Sequence, residues 1–233
     1  MTAIAPAIAV EDLGKTFTLH TQGGLQLSVL RGVRLAVEPG ECVALADPSG
    51  SGKSTLLRCI YGNYRPQAGR ILVRDGERTV DVVGAEPRAI LELRRRTLGY
   101  VSQFLRVIPR VPALDVVAEP LRALGASRAE AMAQAATMLE RLRIPERLWR
   151  LSPVTFSGGE QQRVNVARGL AAGHPILLLD EPTASLDADS RARVVELIVE
   201  ARHRGAALLG TFHDAEVRDA VSTRVATLHE AAA

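Results

Sequence analysis

Cysteine is nearly absent. Cys42 and Cys59 are the whole supply in 233 residues, with no CxxC spacing and no ligand-like histidine nearby. That excludes a disulfide framework and a thiolate metal site, and reads as two reduced core thiols in a cytosolic protein. Lysine is as scarce: Lys15 and Lys53 stand against a basic total of 29 that is otherwise arginine. No apolar run approaches the roughly 20 residues that a membrane span needs. A soluble chain is therefore expected, with any membrane role supplied by a partner. The opening MTAIAPAIAVEDLGK lacks the basic start of a signal peptide. The net charge is only +3, without a long run of one sign. The one basic cluster, Arg94-Arg95-Arg96, is explained by a solvated helix face more cheaply than by nucleic acid, so no nucleic-acid partner is expected. Internal repeats, low-complexity stretches and interdomain linkers are missing too.

What is present is a chain with 47% hydrophobic residues, enough for one sizeable core. Residues 3–10 and 15–20 read as short strands. The stretch GGLQLSVLRGVRLAVEPGE continues this between a Gly-Gly turn and a Pro39-Gly40 turn. CVALAD (42–47) is a short buried strand, and KSTLLRCIYGNY (53–64) has helical apolar spacing. RILVRDGERTVDVV (70–83) reads as two strands around an Asp-Gly turn. A helix over 89–96 and a strand over 98–103 follow. Helices are then expected over 112–125, 127–144 and 145–151, the second opened by a Ser127–Glu130 capping box. Next come a helix over 157–173, an apolar strand over 175–182, an amphipathic helix over 189–205 and a buried strand over 206–214.

Buried apolar strands alternating with helices argue for an α/β fold with a mostly parallel core sheet. The β-rich start forms an N-terminal antiparallel β subdomain, and residues 104–155 form an inserted α-helical subdomain. The expected organisation is one domain over 1–233, with 1–103 and 156–233 making the core.

The segment Asp47-Pro48-Ser49-Gly50-Ser51-Gly52-Lys53-Ser54-Thr55 nearly matches the phosphate-binding loop pattern G-x-x-x-x-G-K-[ST]. Gly50 and Gly52 let the backbone wrap phosphates, and successive N–H groups from Ser49 to Thr55 form an anion nest at a helix start. Lys53 is expected to reach the β- and γ-phosphates, and Ser54 to ligate Mg²⁺. In an arginine-rich chain, one of the two lysines standing here suits a site that needs a compact ammonium. ILLLDEP (176–182) puts Asp180 and Glu181 at the end of a buried strand, where open α/β sheets bind ligands. Asp180 is expected to help hold Mg²⁺ and Glu181 to polarise the attacking water.

The pattern fails at its first letter, where Asp47 replaces glycine. Pro48 confines residue 47 to extended backbone, which aspartate adopts freely, so the difficulty is charge rather than shape. At about 7 Å and an effective dielectric of 20, a carboxylate and one phosphate charge repel by roughly 2.4 kcal/mol. The Asp47 carboxylate is therefore expected to point away from the phosphates or to pair with an arginine.

Taken in order, these motifs resemble the ATP-binding-cassette (ABC) ATPases, a branch of the P-loop NTPases, over essentially the whole chain. Phe156-Ser157-Gly158-Gly159-Glu160 followed by Gln161-Gln162-Arg163 is similar to the family signature. The resemblance implies further roles. Asp187 in Ser185-Leu186-Asp187 would belong to the D-loop. Gln103 would be the Q-loop glutamine, catalytic and near the metal, and His213 the switch histidine. Phe17 would stack on adenine, although a strand phenylalanine is commonly core. Ser157, Gly158, Gly159 and Glu160 would face the ATP of a partner subunit. The competent unit would then be a homodimer, or a heterodimer with a second ABC-type ATPase, using ATP and Mg²⁺.

A narrower resemblance, carried by residues 59–71, 101–110, 144–169 and 211–221, is to the L-type ATP-binding subunit of the bacterial phosphonate carbon–phosphorus lyase system. It implies a cytoplasmic role with soluble C–P lyase core subunits, in the step that makes α-D-ribose 1-methylphosphonate 5-triphosphate. The chain would act there as an ATP-driven clamp. Two alternatives stand beside it. One is the ATPase of a membrane ABC transporter for lipoprotein release or phosphonate uptake. The other is a nucleotide-binding scaffold without turnover. In transporters of this family the segment after Gln103, here FLRVIPR, is where membrane partners dock.

Overall fold

Three short runs, CVAL, ILLL and ALLG, set the architecture. Each lacks the polar alternation of a half-solvated strand, so each needs cover on both faces. The computed structural model, which describes residues 5–19, 21, 23–106 and 109–228, buries all three completely as β3 (Cys42–Leu45), β7 (Ile176–Asp180) and β8 (Ala207–Thr211). With β6 (Leu98–Val101) and β9 (Arg224–Ala226) they form a parallel sheet of order β6-β7-β8-β3-β9.

Strand β7 shows how one run serves two cores. Leu177 and Leu179 pack with α3 (Ala113–Ala123), α4 (Arg128–Arg141), α6 (Gly158–Ala171) and α7 (Ala188–His203). Ile176 and Leu178 face the opposite way, toward α1 (Lys53–Ile60) and the second sheet. That sheet is antiparallel, in the order β2 (Leu25–Val37), β1 (Ile8–Leu19), β4 (Ala68–Asp75), β5 (Arg78–Asp81). Helix α2 (Pro87–Arg96) leads into β6. A short α5 (Glu146–Trp149) and a 3₁₀ turn over Pro153–Thr155 close the helical block before α6. The expected α/β fold, with a parallel core sheet beside an antiparallel N-terminal sheet, is present.

The Ser127–Glu130 capping box forms, with Ser127 N–H donating to Glu130 Oε2 (2.9 Å) and Glu130 N–H to Ser127 Oγ (3.3 Å). Elsewhere boundaries move. The two strands expected over 3–10 and 15–20 are one strand; residues 3, 4 and 20 lie outside the described residues. Its apparent gap is a set of register shifts between Val10 and Thr16. The helix expected to Tyr64 stops at Ile60, and the N–H groups of Asn63 and Tyr64 both turn back to the Arg58 carbonyl. Helix α8 (Ala215–Val221) and β9 were not anticipated; seven and three residues are too short for a periodic signal. Cys42 and Cys59 are buried and unpaired, and burial pushes their thiols up to about 12 and about 11, so neither is a nucleophile at neutral pH. Among the described residues, no helix is long and apolar enough to cross a membrane.

The β1 bulge matters for the site because bulges bend strands. Beyond it, Thr16 to Leu19 pair only with β2, and this arm carries Phe17 opposite Leu27. Gly69 on β4 makes the bend possible: its φ is +82°, and a Cβ there would lie 2.4 Å from the Glu11 carbonyl oxygen. Left-handed strain and a backbone clash act together. Gly69→Ala is expected to cost about 2–4 kcal/mol of stability, read from urea unfolding midpoints at unchanged m-value.

Candidate nucleotide-binding site

The loop between β3 and α1 is shaped by what its neighbours permit. Gly52 has φ +105°, and a Cβ there would meet Val29 Cγ1 at 2.9 Å and the Val29 carbonyl oxygen at 3.1 Å, so only glycine lets α1 start this close to β2. Lys53, the first helical residue, turns its ammonium back over the loop and donates to the carbonyl oxygens of Asp47 (2.5 Å) and Pro48 (2.7 Å). Asp47 is 8% exposed, stays out of the positive-φ region, and its Oδ2 accepts the Leu228 N–H at 2.9 Å. The odd residue thus spends its charge on the C-terminal segment, while only its carbonyl meets Lys53.

Asp180 ends β7 at 1% exposure. A buried carboxylate needs donors, and three hydroxyls supply them. Ser54 Oγ (2.8 Å) and Thr211 Oγ1 (3.2 Å) donate to Oδ1, and Tyr100 OH (3.2 Å) donates to Oδ2. Burial, reinforced by the negative charge of Asp180, pushes Tyr100 up to about 12, so its hydroxyl keeps its proton. Glu181 follows at φ +52°. Its N–H is held by Thr211 O (3.1 Å) and Oγ1 (3.0 Å), and its carbonyl by Gln162 Nε2 (3.3 Å).

The Ser54–Asp180 pair offers hard oxygens, the donor set Mg²⁺ prefers. Among the described residues there is no cluster of three or more His, Cys, Asp or Glu that could cage a metal alone. That suits Mg²⁺, which usually takes one or two protein oxygens and completes its shell with phosphate and water.

These elements wall a cleft of about 490 Å³. Of the residues expected at the site, Phe17, Ser49, Gly50, Gly52, Lys53, Ser54, Thr55, Gln103 and Glu181 line it. Phe17 meets Tyr64 edge-on, with ring centroids 5.2 Å apart. Ser51 does not line the cleft; its Oγ is buried without a hydrogen-bond partner among the described residues. Asp180 lies just behind the wall through Ser54, and His213 is exposed beyond the end of β8. Val107 and Ile108 of FLRVIPR lie outside the described residues.

The signature residues are not on this cleft. Ser157 caps α6 in a second capping box: Glu160 N–H donates to Ser157 Oγ (3.3 Å), and Ser157 N–H and Oγ donate to Glu160 Oε2 (2.9 and 2.7 Å). These bonds hold Glu160 below the usual carboxylate range. Ser157 and Gly158 are exposed, and a Cβ on Gly159 would lie 3.2 Å from the Ser185 carbonyl oxygen, so the signature sits against the loop that ends at Asp187. Asp187 caps α7, accepting the Ser190 N–H at 2.8 Å, which lowers its pKa.

Sequence reasoning missed Thr211, Tyr100, Arg58 and Tyr64. Thr211 had a signal: it ends a buried parallel strand, the rule that found Asp180. Tyr100 had a weaker one, a long polar-tipped residue inside a strand. Arg58 reaches the cleft from within α1, and Tyr64 because α1 ends early and the chain folds back.

A sheet with this strand order, a phosphate-type loop leading from β3 into a helix and an acid pair at the end of β7, separated from β3 by β8, define a P-loop ATPase. The family model for the ABC transporter matches residues 30–184, and the chain belongs to that family as an ABC ATPase that binds ATP with Mg²⁺. It is similar to the lipoprotein-releasing system ATP-binding protein LolD of Hyphomonas neptunium, 39% identical over 206 residues and 88% of each chain. It is 40% identical to the macrolide export ATP-binding/permease protein MacB of Brucella melitensis over 92% of this chain but 32% of that longer one. Among solved structures, the ATP-binding cassette MJ0796, a post-hydrolysis dimer bound to ADP and Pi, superposes with a TM-score of 0.86 over 95% of this chain and 94% of that one, at 29% identity.

The narrower resemblance to the C–P lyase subunit is unsupported by these relatives, and so are lyase partners. The physical reason lies in the segments that suggested it. Residues 59–71 close α1 and lead into β4, and residues 144–169 build the capping box and α6. Both build the cassette itself.

Asp47 yields a direct test. With its carboxylate on Leu228, Asp47→Gly is expected to change ATP affinity by less than about threefold, against the more than tenfold that unrelieved repulsion would give. It is expected to lower stability by about 1–3 kcal/mol through the lost charged hydrogen bond. Calorimetric titration and urea melts separate the two effects.

Proposed function

We propose that the chain is the ATPase subunit of a membrane transporter of the lipoprotein-releasing type, working on the cytoplasmic face as a dimer. The observation that carries this is the near end-to-end similarity to a lipoprotein-releasing ATP-binding protein. A surface feature supports it. Beside the cleft, a groove of about 270 Å³ is lined by Tyr61, Tyr100, Gln103, Phe104, Arg106 and Arg168. It adjoins a second cavity of about 280 Å³ lined by Leu91, Arg94, Arg95 and Glu119. Phe104 and Leu91 are 75% and 62% exposed. Large apolar side chains left in water beside a concave, arginine-rich wall suit a short amphipathic helix carrying carboxylates, such as a cytoplasmic loop of a permease.

The chemistry of the site follows from its residues. The loop N–H groups and the start of α1 receive phosphate oxygens. Lys53 exchanges its two loop carbonyls for the β- and γ-phosphates. Ser54 and Asp180 would hold Mg²⁺, which when bound would neutralise charge on those phosphates. Phe17 gives the base an apolar face. Glu181 carries a carboxylate without a hydrogen-bond partner among the described residues, on a backbone pinned by Thr211 and Gln162, and orients the attacking water. Gln103 joins cleft and groove because it lines both. The cap formed by Ser157 to Glu160 lies off its own cleft and serves the cleft of a second cassette, with Asp187 beside that contact, while His213 joins Glu181 and Gln103 as a catalytic residue. ATP is then bound between two subunits, and its γ-phosphate favours the closed state.

Two measurements decide this reading. Glu181→Gln is expected to keep ATP affinity while phosphate release falls about a hundredfold or more, and to accumulate as an ATP-dependent dimer in size-exclusion chromatography. Unchanged turnover would remove Glu181 from its role. Affinity capture of the full chain from detergent-solubilised membranes is expected to recover an integral permease. Recovery of soluble lyase subunits without a permease would overturn the transporter reading.

A further inference from the structure

Asp180 has two oxygens, and they are held unequally. Oδ1 takes two donors, Ser54 and Thr211, while Oδ2 takes one, Tyr100. We propose that Tyr100 is a positioning residue for Asp180, and that it ties the aim of this carboxylate to the groove on the far side of its own ring.

The register explains the reach. In the parallel β6–β7 pair Tyr100 lies opposite Leu178, two residues before Asp180. Residues two apart share a face of the sheet, and two steps advance about 6.6 Å, the length of a tyrosine side chain. A phenol at this register therefore lands on the carboxylate at the strand tip, and a phenylalanine would stop short of it. Without the hydroxyl, Oδ2 is a buried anionic oxygen that lacks a donor. The carboxylate then gains freedom to rotate away from Ser54, and the Mg²⁺-ready pair of oxygens loses its geometry.

The other end of Tyr100 faces the groove. Its ring lies 4.9 Å from the Tyr61 ring, and both residues line the two cavities described above. The Arg94 guanidinium lies over the Tyr61 ring at 4.6 Å. Whatever seats in the groove presses on Tyr61 and Tyr100, and of these two Tyr100 hydrogen-bonds Asp180. The route from groove to carboxylate is thus two rings and one hydroxyl long. The link to a docked partner rests on the transporter reading; the hold on Asp180 does not.

The test uses the full chain and reads binding. ATP affinity is measured in EDTA and at graded Mg²⁺ for wild type and Tyr100→Phe. The half-saturating Mg²⁺ concentration is expected to rise about tenfold, with ATP affinity in EDTA unchanged. An unchanged Mg²⁺ requirement, or an equal loss of affinity with and without Mg²⁺, would overturn the positioning role, because a merely structural effect does not discriminate between the two conditions. Tyr61→Ala, which leaves the Asp180 hydrogen bonds in place, is expected to raise the Mg²⁺ requirement about threefold and to add little in the Tyr100→Phe background. No shift, or fully additive shifts, would sink the link to the groove, whereas permease capture judges the docking reading separately. Should Tyr100→Phe fail to fold, Tyr100→His, which keeps a ring and a polar tip, replaces it for the hold on Asp180, and the Tyr61→Ala arm still decides the link to the groove.

Discussion

A charged group at the tip of a wholly buried strand must be given donors or expelled, and this requirement at Asp180 organises the molecule around it. Strand β7 is apolar for four residues and then carries a carboxylate at 1% exposure. The donors come from three directions: Ser54 on α1, Thr211 on β8 and Tyr100 on β6. To deliver them, α1 must begin directly under the phosphate-type loop, and β6 and β8 must flank β7 in parallel. The strand order of the core sheet and the start of α1 are thus tied to one carboxylate.

The same economy governs the loop. Gly52 admits a close approach to β2, and Lys53 fills the loop from above by resting on two carbonyls. Asp47 belongs to this arrangement through its backbone and departs from it through its side chain, which is buried on the Leu228 N–H. An acidic residue at the mouth of an anion site is tolerable because the fold supplies another donor.

The helical block and the signature share a different logic. Ser157 and Glu160 satisfy each other, so the N-terminus of α6 can stand exposed without unpaired polar side chains. It stands away from the cleft made by the same chain. One chain therefore presents a nucleotide cleft and, on another face, an exposed helix start packed against the Ser185 loop. In our reading this division makes a second subunit necessary, and the groove between the core and the helical block is where the work of the pair is passed on.

Much of this was legible in advance. The apolar runs at 42–45, 176–179 and 207–210 required a covered parallel sheet, and Lys53, Ser54, Asp180 and Glu181 were readable because their chemistry is local to a loop and a strand end. The capping box at Ser127 spans four residues and was read directly, whereas the one at Ser157 emerged from the structure. Charge alone required the Asp47 side chain to turn aside. Other features needed the third dimension. The bulge in β1 depends on Gly69, more than fifty residues later, and the hold on Asp180 by Tyr100 depends on β6–β7 register. Segments at 59–71 and 144–169 suggested a lyase partner, yet they build the cassette itself and so carry little about its partner. The amino-acid order by itself determined the fold class, the ATPase family and the place of the phosphate-type loop, because those rest on backbone conformation and short-range spacing. Only the tertiary structure decided which hydroxyls aim the buried carboxylate, where the Asp47 charge goes and which face stays open, because each depends on contacts between segments distant along the chain.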